Sequence, residues 1–221
     1  MDESIDIVFI ANSKTGYLWL MTRNAIRTAT LNAGMNIGQV VVVEENLVAN
    51  PQPDTKMLYY DFEFNYNECL NLGFSVCKSK YVAFCNNDLY FRKDWAKNAV
   101  SAGYLSVSPS PRHYFKGVME GYEIGKQLLG WCIIVDRSVM ERIGGFDTPV
   151  KFWYSDDVYA EQLKELGIKH ALVGNSVVRH LKSQSLLKVI KGKQRLSMQR
   201  GQRKLFEQYK KEKYVNSSSK E

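Results

Sequence analysis

The chain has 221 residues, 45% of them apolar and 12% aromatic, enough for one large domain or a domain with an appendage. Its net charge of +7 is concentrated: eleven Lys and Arg residues lie between Lys182 and Lys213, opposed there only by Glu207 and Glu212, so the remainder is close to neutral. No apolar run approaches the roughly 20 residues that span a bilayer. The acidic start Asp2-Glu3-Ser4-Ile5-Asp6 lacks the basic character of a secretory leader, and the expected location is cytoplasmic.

Cys69, Cys77, Cys85 and Cys132 form no C-x-x-C pair, which excludes a zinc knuckle or a dithiol redox motif. Each sits among apolar neighbours and reads as a buried thiol in a reducing compartment.

In chain order, residues 5–11 (IDIVFIA) form a near-continuous apolar run, the pattern of a parallel strand buried on both faces. Residues 22–33 have helical spacing and end at Gly34. Residues 39–43 (QVVVV) read as a second buried strand running into Glu44-Glu45-Asn46, and residues 56–62 hold a third short one. A helix over 67–77 precedes a strand over 80–84. This alternation predicts βαβ units and a mostly parallel sheet. Further on, 106–111 (SVSPSP) reads as a loop, 131–135 as a strand and 138–143 as a helix closed by Gly144-Gly145. Residues 155–166 form a helix ended by Gly167, and 171–178 hold a last strand.

Three polar groups interrupt this pattern. Asn86-Asn87-Asp88 ends an apolar strand, where parallel sheets open into ligand crevices; an Asx-rich turn would read the same way. Asp156-Asp157 follows Phe152-Trp153-Tyr154 and begins a helix. Two carboxylates there suit helix capping, and aromatic faces beside them suit a sugar. His180 closes the last strand, as a ligand or as a structural histidine; His113 and His170 carry no supporting context and read as structural. The chain has no G-x-x-x-x-G-K-[ST] loop, no G-x-G-x-x-G after the first strand and no G-x-S-x-G elbow, so a bound phosphate must be held by a metal and side chains.

From residue 5 to 180 these segments, with Asn71-Leu72-Gly73, Gly130-Trp131 and Ile143-Gly144-Gly145-Phe146-Asp147, resemble family 2 glycosyltransferases of the GT-A fold. Asn86-Asn87-Asp88 stands where that family has its D-x-D and Asp156-Asp157 where it has E-D. The first acid of D-x-D is Asn86 here, and the E-D glutamate is shortened to Asp156. The resemblance implies an α/β GT-A domain over 1–182, with a nucleotide-sugar half (1–100) and an acceptor half (101–182); from composition, a basic helical tail (183–221) with a disordered end is expected to follow. It also implies an inverting, metal-dependent transfer from a nucleoside diphosphate sugar, UDP being the usual carrier. Asp88 and His180 would hold Mn²⁺ or Mg²⁺, the imidazole favouring Mn²⁺. Asp157 would be the general base and Asp156 would position hydroxyls. Asn12, Glu44, Glu45, Asn71, Asn86 and Asn87 would hold the donor. Trp131 and Trp153 would wall the sugar pocket or fill the core.

The tail lies outside the resemblance. Leu186, Leu187 and Ile190 share one helical face and Leu205, Phe206 and Tyr209 another, with Gly192 and Gly201 expected to break the tail into pieces. Basic helices can simply pack with solvated faces, or bind an anionic membrane or a phosphate backbone. The short apolar clusters favour nucleic acid, through Lys188, Lys191, Lys193, Arg195, Arg200, Arg203 and Lys204, assisted by Arg112, His113, Tyr114 and Lys116. The first expected acceptor is therefore a hydroxymethylated pyrimidine in DNA, as for viral DNA-modifying enzymes. A cell-surface saccharide or lipid-linked acceptor comes second, and a binding module without turnover third.

Overall fold

The computed structural model describes residues 3–112, 115–181 and 192–218. Strand β1 (Ile5–Ala11) is central, with β2 (Ile37–Glu44) on one side and β4 (Tyr81–Asn86) on the other; β3 (Lys56–Tyr59) extends the edge beyond β2, and all these pairings are parallel. The side chains of β1 divide by parity. Ile5, Ile7, Phe9 and Ala11 pack under α1 (Gly16–Leu31) and α3 (Trp95–Val100), whereas Val8 and Ile10 pack under α2 (Tyr66–Phe74), α4 (Arg137–Ile143) and α5 (Ser155–Glu165). A strand covered on both faces has no polar side to offer, which is why residues 5–11 read as an apolar run interrupted only by Asp6.

The second half converts this parallel sheet into a mixed one. Strand β8 (Cys132–Asp136) lies antiparallel to β4 and to β6 (Ser106–Ser110). The eleven-residue β9 (His170–His180) runs parallel to β6 and antiparallel to β5 (Leu89–Phe91) and β7 (Val118–Glu120). The order is β3-β2-β1-β4-β8-β6-β9-β5, with β7 on β9. Helix α6 (Gly192–Ser218) packs on the body through Phe206. No helix among the described residues is long and apolar enough to cross a membrane, and all four cysteines are buried, reduced thiols.

Two expectations fail. Residues 106–111 are a strand over most of their length rather than a loop: Ser106, Ser108 and Ser110 are buried, and two of these hydroxyls find buried partners. Ser106 Oγ lies 2.8 Å from His170 Nδ1 and from Tyr159 Oη, and Ser108 Oγ accepts from Leu129 N at 3.0 Å and lies 3.2 Å from His170 Nε2. Serine and proline are turn formers only when nothing better satisfies them. The second failure is in the tail: α6 runs unbroken through Gly201, where a glycine costs about 1 kcal/mol relative to alanine and the contacts of Gln202, Phe206 and Tyr209 with the body outweigh it. The helix expected around Leu186, Leu187 and Ile190 and the disordered end fall outside the described residues, as do Lys188, Lys191, His113 and Tyr114.

Buried Asp6 ties the start of the sheet together. Its carboxylate accepts from Gln39 N (2.9 Å), Lys78 N (2.6 Å), Ser79 N (2.9 Å) and Ser79 Oγ (2.7 Å), joining β1 to the entrances of β2 and β4. Asp6→Ala strands three backbone donors and should cost about 3 kcal/mol in urea unfolding. His170, fully enclosed, has its pKa pushed down to about 4 by burial. The unfolded chain therefore takes up this proton first, and stability should fall as pH drops from about 6.5 towards about 4. A melting series across that range should show a flatter slope in His170→Gln.

Candidate active site

The parallel strands β1, β2 and β4 end side by side, Ala11 opposite Glu44 and Ile10 opposite Asn86. Order reverses about β1, so the residues just beyond these ends face one crevice. Glu44 is buried there, its Oε1 accepting from Ser13 N (2.8 Å) and Asn46 N (2.9 Å); it staples the two strand exits and does not line the cleft. Asn12 donates its Nδ2 to Glu45, whose carboxyl is raised from its ordinary value by burial, an effect that Lys14 opposes and Glu44 reinforces. Asn12 Oδ1 and Ser13 Oγ are enclosed without a hydrogen-bond partner among the described residues. Buried polar atoms are nearly always satisfied, so this rim is built for a partner from outside the chain.

Beyond β4 the three polar residues diverge. Asn87 turns to α1, donating to Thr22 Oγ1 at 3.0 Å. Asp88 is buried, with Oδ1 3.2 Å from His180 Nε2. The β5–β9 ladder makes this meeting: Leu89 pairs with His180, and Leu181 N donates to Asp88 O at 2.9 Å. Trp131 stacks on the imidazole at 5.5 Å, while its carbonyl receives Asn86 N at 2.9 Å. Asn86 Oδ1 accepts from Tyr66 Oη at 2.8 Å. That phenol is held well above its ordinary pKa chiefly by burial, with Cys85, Asp156, Cys132 and Asp88 adding to it.

Asp88 and His180 present one hard oxygen and one imidazole nitrogen to the same point. No cluster of three or more His, Cys, Asp or Glu able to enclose an ion occurs among the described residues. Two protein ligands suit a divalent ion that completes its shell with water and substrate phosphate oxygens, and do not suit a structural cage.

The two carboxylates of α5 part company. Asp156 lies against Gly130, where a built Cβ would come within 2.7 Å of its Cβ and 2.8 Å of its Oδ2. Its pKa is raised to about 6, first by burial and then by Asp157, against the pull of backbone N–H groups. Asp157 is also raised by burial, but the charges acting on it are those of Glu161 and Lys164 of α5 and Lys210 of α6. The turn that delivers the pair is strained: Tyr154 has φ 71°, which a bulky side chain rarely adopts. Phe206 of α6 stacks on Tyr154 at 5.6 Å and holds it there.

Between the strand ends and the 150–154 segment lies a cleft of about 340 Å³, lined by residues including Asn12, Glu45, Tyr66, Asn86, Asp88 and Trp153. Met198 and Gln202 of α6 complete its wall. Gln202 Oε1 accepts from Phe152 N at 2.8 Å, and Tyr209 Oη donates to Asp147 at 2.5 Å. The tail is thus part of the site.

The structure brings Asn12, Glu45, Asn86, Asn87 and Asp88 to the cleft, with His180 against Asp88 and Trp131 behind it. Asn71 is not among them: both ends of its amide engage the Phe146 backbone, at 2.9 and 2.8 Å, clamping α2 to the loop after α4. Tyr66, Met198 and Gln202 escaped the sequence reading, whereas the aromatic density of Phe152-Trp153-Tyr154 signalled Phe152.

No family model matches the chain, and no curated protein does. Solved structures do, 464 chains in all, and the chain has the GT-A fold, a mixed α/β sheet flanked by helices. So populous a fold fixes architecture and leaves activity to the site. One of them, the crystal structure of GalNAc-T7 with UDP, GalNAc and Mn²⁺, superposes with a TM-score of 0.63 at 9% identity, over 81% of this chain and 44% of that one. The chain thus corresponds to less than half the length of that protein.

Two variants test this geometry. Gly130→Ala should displace Asp156 and lower the melting temperature, since the new methyl meets its Cβ. Gln202→Ala should leave Phe152 N without its acceptor, and amide exchange at Phe152 should quicken about tenfold, the equivalent of the roughly 1 to 2 kcal/mol such a bond contributes.

Proposed function

We propose that the chain is a metal-dependent glycosyltransferase that moves a sugar from a nucleoside diphosphate, most simply UDP, to a hydroxyl acceptor with inversion, related to family 2. The observation that carries this reading is the meeting of Asp88 and His180 beside a cleft whose rim includes Asn12, with an enclosed Oδ1 that has no partner among the described residues. That rim suits a nucleobase or ribose, with Glu45 close by. A divalent ion held by Asp88 and His180, when bound, supplies charge neutralisation to a leaving diphosphate. Imidazole favours Mn²⁺ over Mg²⁺ in that role.

The resemblance gives the general base to Asp157, but the surroundings favour Asp156. It borders Gly130 and acts on Tyr66 at the cleft, and a carboxylate with a pKa of about 6 is suited to taking a proton near neutral pH. Asp157, acted on by Lys164 and Lys210, stands in the first turn of α5, where its charge complements the helix dipole. Trp153 offers its face to the transferred sugar or to the acceptor.

For the acceptor, the carrying observation is α6. Phe206 and Tyr209 turn to the body, while Arg200, Arg203, Lys204 and Lys211 are exposed. A helix whose aromatic face is already packed has little to insert into a bilayer, and its basic face suits a phosphate backbone. A hydroxymethylated pyrimidine in DNA, as modified by viral enzymes, is the acceptor this favours.

The test is release of nucleoside diphosphate from a panel of sugar nucleotides with Mn²⁺, with and without hydroxymethylated duplex. Asp156→Ala should lower turnover by about 10² or more, and Asp157→Ala by less than tenfold. The rate should fall below about pH 6 as Asp156 takes up its proton. Stimulation by the duplex, lost at high salt, supports the DNA acceptor; release indifferent to it moves the acceptor to a saccharide or lipid-linked sugar. Absence of release from every donor would make the chain a binding module.

A further inference from the structure

We infer that Asn86 is a hydrogen-bond donor to the donor diphosphate, oriented by Tyr66, and not a ligand of the divalent ion. The inference rests on the transferase reading above and concerns the position where the D-x-D pattern is broken. An amide offers a metal only its carbonyl oxygen, and its nitrogen only donates. In this chain the oxygen is already engaged: Tyr66 Oη lies 2.8 Å from Asn86 Oδ1. The phenol has one hydrogen, and its other acceptor, Gly130 O, is at 3.4 Å, so the shorter contact takes it. Asn86 lines the cleft beside Asp88, and its Nδ2 has no hydrogen-bond partner among the described residues. With the oxygen turned to Tyr66, the NH₂ group faces the cleft, where an anionic oxygen is its natural partner.

The phenol is well placed to set that orientation. Tyr66 is 8% exposed and sits at the first turn of α2. Its backbone N donates to Lys151 O at 2.7 Å, and its ring meets Phe152 edge-on at 5.8 Å. Tyr66 is therefore a positioning residue that acts through Asn86. An aspartate at 86 would add a carboxylate to the metal side; the asparagine moves that position's contribution to the phosphate side.

The experiment separates metal binding from nucleotide binding. Mn²⁺ binding to the nucleotide-free protein is followed by electron paramagnetic resonance, and UDP binding in saturating Mn²⁺ by calorimetry. Asn86→Ala should leave the Mn²⁺ dissociation constant within twofold and weaken UDP about tenfold. Tyr66→Phe should weaken UDP severalfold with Mn²⁺ unchanged, and should add little in an Asn86→Ala background, because it acts through the amide. Asn86→Asp should tighten Mn²⁺. Loss of Mn²⁺ affinity by tenfold or more in Asn86→Ala would make Asn86 a ligand and overturn the inference while leaving the transferase reading intact. Full additivity of the two UDP effects would overturn the role of Tyr66. A wild-type protein that binds neither Mn²⁺ nor UDP would overturn the transferase reading and this inference together.

Discussion

The candidate site depends on the register of one short ladder. Strand β9 leaves β6 and β7 and ends against β5, where Leu89 faces His180 and the Leu181 amide reaches Asp88 O. Asp88 and His180, more than ninety positions apart in the chain, meet because these pairings hold. A slip of one residue would move His180 by about 3.3 Å and turn it to the other face of the sheet. Phe91 and Val178, fully buried at the base of the same ladder, make such a slip costly.

Polar groups inside this protein fall into two kinds. Asp6 and His170, buried, and Asn71, half-buried, are supplied with partners by the chain itself, and each joins segments distant in sequence. Asn12 Oδ1, Ser13 Oγ and Gln52 Oε1 are enclosed and not supplied among the described residues. The first kind gives the fold its specificity; of the second, Asn12 lines the cleft. Asn71 and Asn12, alike as donor-binding candidates in the sequence, are distinguished by this difference: the Asn71 amide is engaged at both ends and Asn12 Oδ1 is not.

The central strands were legible because burial on both faces leaves an unmistakable apolar run at residues 5–11, 39–43 and 80–84. The abrupt Asn-Asn-Asp stop after the last of these pointed to Asp88. Strand β6 was not legible: its alternating serines are turn formers until His170, Tyr159 and Leu129 N supply partners, and those partners come from remote segments. Tyr66 and Gln202 were hidden for a similar reason. Each matters through a single tertiary contact, to Asn86 Oδ1 and to Phe152 N, which no local pattern announces. The pair at 156 and 157 was recognised, but a helix separates neighbours by 100°, and only packing shows which one faces Gly130.

The stack of Phe206 on Tyr154 has a consequence for the order in which the protein assembles. A chain that emerges from synthesis amino end first can form β1, β2 and β4 early, with their strand ends open to water. The 150–154 turn, however, contains a backbone conformation that its own aromatic residue disfavours, and the ring that props it comes from α6. The cleft is therefore closed by its last-made wall. Until α6 docks, the molecule is a folded sheet with an unfinished mouth, lacking the Met198 and Gln202 side of its cleft.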